Sequence, residues 1–438
     1  MKKVFGLPLF LLSYLLLSLT SCSVSNQVAK KANNLLFKDS AISQGHIGIS
    51  IFEPATGKYW YNHDAEKYFV PASNTKLFSL YAGLKYLGDS LVGIQYIETP
   101  DSIILQGTGD PTFLHAGFAK QPVFSFLKNA HKKIAFRINA RDNFRPLGYG
   151  WAWDDYESSY MAERSALPIY GNVVTFRLIG GKLQSVPSSF AESFDMVIPS
   201  GANFEIHRNE NSNKFYLANS RNKFTSGEMP FKTSKSTTAM EMLLDSLGLV
   251  PSSLHIMAGL LAHGTKIHSG PTDSLFIPMM HRSDNFFAEQ TLLMASNEKL
   301  GYLSDRDIID TILKTDLKDI PQKPKWVDGS GLSRYNLFTP QSFVYILNKM
   351  RNDFGWERMK TILPTGGEGT ISSYYKKDAG FLFAKTGTLS NNCALSGYLV
   401  TKKNKVLIFS VLANNYQTSA TPVRRAVEKF LQDIRDKY

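Results

Sequence analysis

Apolar residues recur at helical spacing after Val70-Pro71-Ala72-Ser73-Asn74-Thr75-Lys76. Leu77, Leu80, Tyr81, Leu84 and Leu87 form one stripe, which predicts a helix buried along that side. Upstream, His46-Ile47-Gly48-Ile49-Ser50-Ile51-Phe52 alternates and predicts a strand. Glu53-Pro54-Ala55-Thr56-Gly57 reads as a turn, and Lys58-Tyr59-Trp60-Tyr61 returns as a second strand. From Leu91 to about Ser236 the pattern changes to short β-like runs, such as Ser102–Leu105, Val173–Phe176 and Phe194–Ile198. Polar stretches such as His207–Asn213 interrupt them. Helical periodicity returns over Thr238–Leu247, with Gly248 as its stop, and again after Ser283-Asp284-Asn285, where Phe286, Phe287, Leu292 and Leu293 repeat. Phe381–Lys385 predicts a strand, and Leu395–Val400 and Val406–Val411 its antiparallel neighbours. Thr421-Pro422 opens a last helix with Val423, Val427, Phe430, Leu431 and Ile434 on one face. The pattern therefore predicts an α+β protein. One antiparallel sheet is closed by N- and C-terminal strands and covered by helices, and a β-rich domain is inserted at 91–236.

Composition changes this picture little. The 438 residues are 43% hydrophobic and 20% charged, an ordinary globular balance long enough for more than one domain. The net charge of +12 suits anionic polymers or membrane headgroups. No zinc-finger spacing, RNA-binding aromatic motif or long basic run accompanies it, so no nucleic-acid partner is expected. The nine histidines include no His-x-x-x-His pair, and no metal or other cofactor is inferred. Met1-Lys2-Lys3 followed by the apolar run Val4–Leu19 reads as an export signal covering 1–21. Leu19-Thr20-Ser21-Cys22 resembles the bacterial lipoprotein cleavage box, which makes Cys22 a lipidation site and anchors the mature protein to a membrane of the cell envelope, on its periplasmic side. Residues 23–38 then form a tether and a first helix. Cys393, the other cysteine, reads as a small buried apolar residue.

The chemistry starts at Ser73 and Lys76. Three residues apart on a helix, their hydroxyl and amine share a face, and a desolvated lysine is a base for a serine nucleophile. The spacing alone proves little, because Ser125–Lys128, Ser220–Lys223, Ser296–Lys299 and Ser373–Lys376 repeat it. Downstream, however, Ser283-Asp284-Asn285 and Lys385-Thr386-Gly387-Thr388 follow in order. Ser-x-x-Lys, Ser-Asp-Asn and Lys-Thr-Gly in that order are the signature of penicillin-binding proteins and serine β-lactamases.

With Gln106–Thr112, Asp328–Ser333 and Gly366–Thr370, the chain resembles the D-alanyl-D-alanine carboxypeptidases of the peptidase S13 family, the class C low-molecular-mass penicillin-binding proteins. The resemblance implies a β-lactamase-like transpeptidase domain, with parts at 22–90 and 237–438, and accessory domains between them. It implies peptidoglycan stem peptides as substrates and β-lactams as covalent inhibitors. In the mechanism expected, Ser73 attacks, Lys76 is its base, and burial and Lys385 lower the Lys76 pKa. Ser283 relays a proton to the leaving amine. Asn285 holds Lys76 and the substrate backbone. Lys385, Thr386 and Thr388 hold the terminal carboxylate, and Gly387 allows close approach. The resemblance assigns the oxyanion hole to the Ser73 and Thr388 backbone N–H groups. Asp284 is expected only to cap its helix. The rival readings are a β-lactamase, an endopeptidase acting on crosslinks, and a non-catalytic envelope-binding protein.

Overall fold

Strands from both ends of the chain, buried along most of their length, build the sheet that carries half of the motif residues. In the computed structural model the described residues are 24–179, 182–191, 194–197, 205–218, 226–234, 236–249, 255–259 and 264–438. The export signal and Cys22 lie outside them. Two units emerge. The first comprises the chain up to Leu77 with Asp319–Trp326 and Tyr335–Tyr438; the second comprises Phe78–Lys318 and Val327–Arg334.

The first unit holds an antiparallel sheet in the order Leu382–Leu389, Asn392–Val400, Val406–Asn414, His46–Glu53, Lys58–His63. The chain ends therefore meet in one sheet, with His46 opposite Asn414. Because side chains alternate across a strand, Leu407, Phe409, Val411 and Ala413 share one face. They pack with Val423, Val427, Phe430, Leu431 and Ile434 of the C-terminal helix, Ala420–Lys437, and with Val28, Ala32 and Leu36 from the helical residues 24–37. Tyr398, on the same sheet, donates its hydroxyl to the Leu347 carbonyl of the helix Pro340–Phe354. The C-terminal helix starts two residues before Pro422. Proline still fits there, because the N–H groups of a first turn have no intrahelical acceptor.

The expected continuous helix through Ser73 needs correction. Ala72–Thr75 is a 3₁₀ turn, and the α-helix begins at Lys76 and runs to Tyr86. Ala72 has φ +49°, a left-handed conformation that an α-helix cannot contain.

The second unit carries three sheets, with strands between Ser90 and Pro271. A five-stranded mixed sheet runs His255–Ala258, Lys133–Ile138, Ser102–Gly107, Ser90–Glu98, Thr265–Pro271. Two three-stranded sheets accompany it, one around Val173–Ile179 and one around Phe215–Ala218. The helix Thr237–Ser246 buries Met240, Met242, Leu243 and Leu244 against this core. Asn285–Leu300 is the helix behind Ser-Asp-Asn, with Phe287, Leu292 and Leu293 wholly buried. Among the described residues no helix is long and apolar enough to cross a membrane.

Candidate active site

Ser73 is half-buried in a run that is otherwise buried from Pro71 to Ala82, so its hydroxyl is the accessible polar group of the turn. The Lys76 amine donates to the Ser73 Oγ at 2.9 Å, the pairing expected of their spacing. Lys76 is 0% exposed, which excludes the solvated surface lysine that the motif alone would allow. The turn is fastened to the sheet on both sides of Ser73. Asn414 accepts from the Val70 N–H at 2.7 Å and donates back to its carbonyl at 3.1 Å. Asn74 donates to Ser396 at 2.7 Å, and Ser396 donates to Ser410 at 2.8 Å. This buried polar ladder fixes the turn's position, because each lost bond would strand a desolvated group.

Leu382–Leu389 is the edge strand of the sheet. Gly387 lies directly under the turn: a Cβ there would sit 2.5 Å from the Pro71 carbonyl oxygen and 3.1 Å from the Ser73 nitrogen. The close approach at Gly387 seen here is that of the Ser73 turn itself. Lys385 is 0% exposed, and its ammonium donates to the Thr386 carbonyl at 2.8 Å. Its pKa lies well below the usual lysine value. Burial is the largest cause, followed by the charges of Lys76 and Arg424. The Thr386 hydroxyl donates to that of Thr370 at 2.7 Å, which brings the Gly366–Thr370 stretch to the strand. Thr388 is exposed and accepts from Arg424 of the C-terminal helix. Cys393, opposite Thr388, is buried as expected.

The structure therefore gathers Ser73, Lys76, Lys385, Thr386, Gly387 and Thr388 in the first unit. Ser283 and Asn285 belong to the second. Ser283 has φ +59° and is followed by Asp284, whose carboxylate accepts from the Phe287 N–H at 3.0 Å and caps the helix as expected. The Asn285 amide donates to the Tyr160 carbonyl at 3.2 Å.

Sequence reading missed the network behind this turn. Glu289, one helical turn beyond Asn285, is wholly buried. It accepts from Arg164 at 3.2 Å and from the Ser330 N–H at 2.7 Å. Arg164 also donates to Asp305 at 2.6 Å. Asp328 accepts from the Gly331 and Ser333 N–H groups and from the Trp151 indole, so the Asp328–Ser333 loop is held by its own carboxylate. Burial and the neighbouring Asp328 push Glu289 up to about 7, against the pull of Arg164 and Ser330. Arg164 and Glu289 stand 125 residues apart, and no local pattern announces them.

A serine hydroxyl paired with a buried lysine at a sheet edge defines the chemistry of a serine acyl-transfer enzyme. The fold agrees: the structure matches penicillin binding protein 4 (dacB) from Haemophilus influenzae with a TM-score of 0.71 at 19% identity, covering 93% of this chain and 99% of that one. The chain belongs to the D-Ala-D-Ala carboxypeptidase 3 (S13) family, whose profile matches residues 28–199 and 258–434. It is 25% identical to a D-alanyl-D-alanine carboxypeptidase of Actinomadura sp. over 88% of this chain and 80% of that protein. It is 23% identical to D-alanyl-D-alanine carboxypeptidase DacB of Haemophilus influenzae over 82% and 83%. Carboxypeptidase DacB of Mycolicibacterium smegmatis is 29% identical over a shorter span, 45% of this chain and 46% of that one.

Proposed function

We propose that this chain is a serine-type D-alanyl-D-alanine carboxypeptidase acting on peptidoglycan stem peptides through an acyl-enzyme on Ser73. The observation that carries the reading is the 2.9 Å contact between the Ser73 hydroxyl and a fully buried Lys76 amine, beside the Lys-Thr-Gly edge strand. An edge strand leaves backbone N–H and C=O groups open, to which an extended peptide can add.

Lys76 takes the Ser73 proton as Oγ adds to the carbonyl of the penultimate D-Ala. The oxyanion forms between the Ser73 and Thr388 N–H groups, donors of a kind worth about 3 kcal/mol each. Collapse expels the terminal D-Ala as its amine takes a proton. Water then adds to the ester, and Ser73 leaves with its proton restored. Lys385, Thr386 and Thr388 hold the terminal carboxylate. Ser283 as proton relay and Asn285 as amide clamp are assigned by motif order. Attack on a D-Ala–diaminopimelate crosslink uses the same steps with a larger leaving amine, and β-lactams acylate the same hydroxyl. Residues 91–236 are read as the accessory insertion, and lipid on Cys22 as the anchor to the envelope.

The test uses protein truncated after Cys22, labelled penicillin, and mass spectrometry of the adduct. An adduct on Ser73, absent from folded Ser73→Ala, is expected, with release of D-Ala from pentapeptide and comparison with crosslinked dimers. Folded wild-type protein with neither adduct nor turnover would overturn the reading in favour of a non-catalytic binding protein. Rapid penicillin turnover would favour a β-lactamase.

A further inference from the structure

Arg424 is a charged residue on the C-terminal helix that plays no part in the mechanism above. It is half-buried, and its Nη2 donates to the exposed Thr388 hydroxyl at the edge strand. Its helical neighbour one turn on, Glu428, is the natural partner for it. That carboxylate is engaged elsewhere: it accepts from Arg425 at 2.5 Å and from the Tyr375 N–H at 2.5 Å. Arg424 makes no ion pair with a carboxylate among the described residues; besides Thr388, its guanidinium interacts with the buried Cys393 thiol. Its guanidinium stands 5.8 Å from the centre of the Tyr374 ring, whose face is covered more closely by Arg425 at 4.3 Å.

An arginine left without a carboxylate, half-buried and held against a hydroxyl of the substrate strand, is set up for an incoming anion. The Lys385 side chain lies close by, and Arg424 is near enough to disfavour its charge. A guanidinium keeps its charge at any working pH and presents a planar fork that fits a carboxylate, which a lysine does not.

We propose that Arg424 binds substrate directly, its guanidinium joining the Thr388 hydroxyl to grip the carboxylate carried by the leaving part of the stem peptide. The inference rests on the carboxypeptidase reading and extends it to a residue outside the three motifs. No covalent bond to Arg424 forms or breaks. When the carboxylate arrives, the guanidinium exchanges a neutral hydroxyl acceptor for an ionic one, and the Thr388 hydroxyl is released to donate to the same oxygen atoms. The enzyme thereby selects leaving groups that carry a carboxylate next to the departing atom.

The test uses two N-acyl-D-alanyl thioesters that differ only in whether the leaving thiol ends in a carboxylate or a carboxamide. Thioesters are reactive enough for turnover of both to be measured. The readout is the ratio of kcat/KM on the two, which is independent of how much of a preparation is folded. In Arg424→Gln the carboxylate preference should fall by about 10- to 100-fold, the range for one charged hydrogen-bonding partner. Arg424→Lys should restore part of it. Equal losses on both esters would make Arg424 a structural residue and overturn the proposal, as would an unchanged preference. Wild-type protein that turns over neither ester would overturn the carboxypeptidase reading, and this inference with it.

Discussion

Replacing Gly387 with alanine adds one methyl group at the point where the edge strand passes beneath the nucleophile. That carbon would lie 2.5 Å from the Pro71 carbonyl oxygen, 3.0 Å from the Asn74 nitrogen and 3.1 Å from the Ser73 nitrogen. Heavy atoms settle at about 3.5 Å, so strand and turn must part by about 1 Å. All three obstacles are backbone, and no rotamer change relieves them. The turn is also pinned through Asn74 to Ser396 and through Val70 to Asn414, so it cannot simply lift away. Overpacking of this kind costs about 1–3 kcal/mol of stability. A catalytic loss of similar size should accompany it, because in the proposed mechanism Ser73 supplies both the nucleophile and one oxyanion donor. A misplacement of about 1 Å costs roughly 10²-fold in rate, equal to about 2.7 kcal/mol of barrier. Stopped-flow acylation by a fluorescent penicillin, with urea unfolding alongside, measures both quantities. If Gly387→Ala acylated within about 3-fold of wild type with unchanged stability, the turn would not be held against the strand as described.

Three further outcomes follow from other residues. Ser283→Gly removes the hydroxyl but relieves a side chain held at φ +59°. Its unfolding free energy should hold or rise by up to about 1 kcal/mol while stem-peptide turnover falls, and a clear loss of stability would show that the hydroxyl is structural. Arg164→Met leaves the buried Glu289 and the half-buried Asp305 without their cation, and should cost about 3–5 kcal/mol in urea unfolding; a loss below about 1 kcal/mol would mean that the network is solvated. Glu289 carries a pH signature. Its folded pKa is raised from 4.5 to about 7, so the folded state keeps a proton that the unfolded chain releases. Its contribution is complete below pH 4.5 and is lost as pH rises through about 7. The stability of wild type relative to Glu289→Gln should therefore decline across that window, and a constant or widening difference would contradict the shift.

The parts legible in the sequence are those where local chemistry and local pattern coincide. Ser73, Lys76 and the Lys385 strand could be read because a reactive pair sits at the head of an apolar stripe and a Lys-Thr-Gly run follows the short apolar run Phe381–Ala384. The C-terminal helix shows its buried face through Val423, Val427, Phe430 and Ile434. What stayed hidden depends on partners far along the chain. Thr265–Pro271 closes the second unit's large sheet by pairing with Ser90–Glu98, and neither strand contains the other's signal. The break at Ala72 is a tertiary effect, because alanine favours the helix that its φ of +49° forbids. Arg424 was hidden for another reason. An arginine in the first turn of an amphipathic helix looks like a solvated charge until folding lays that turn beside Thr388.

The electrostatics of the first unit bear on what it should bind. Removing an ammonium from water is costly, and proteins usually respond by pairing it or by letting it lose its proton. At Lys385 the second response is favoured: its pKa is driven down first by burial, then by Lys76 and Arg424. A bound carboxylate reverses that balance by favouring the charged lysine, so substrate binding and proton uptake at Lys385 are coupled. Affinity for an anionic leaving group should therefore weaken as pH rises through the lowered pKa. The Arg424 guanidinium would keep part of the attraction. A neutral leaving group has no such dependence, because it neither requires the proton nor repays the burial of the lysine that holds it. In the proposed mechanism, preference for a carboxylate is then a consequence of burying a lysine beside an arginine, and the hydroxyls of Thr386 and Thr388 orient the anion.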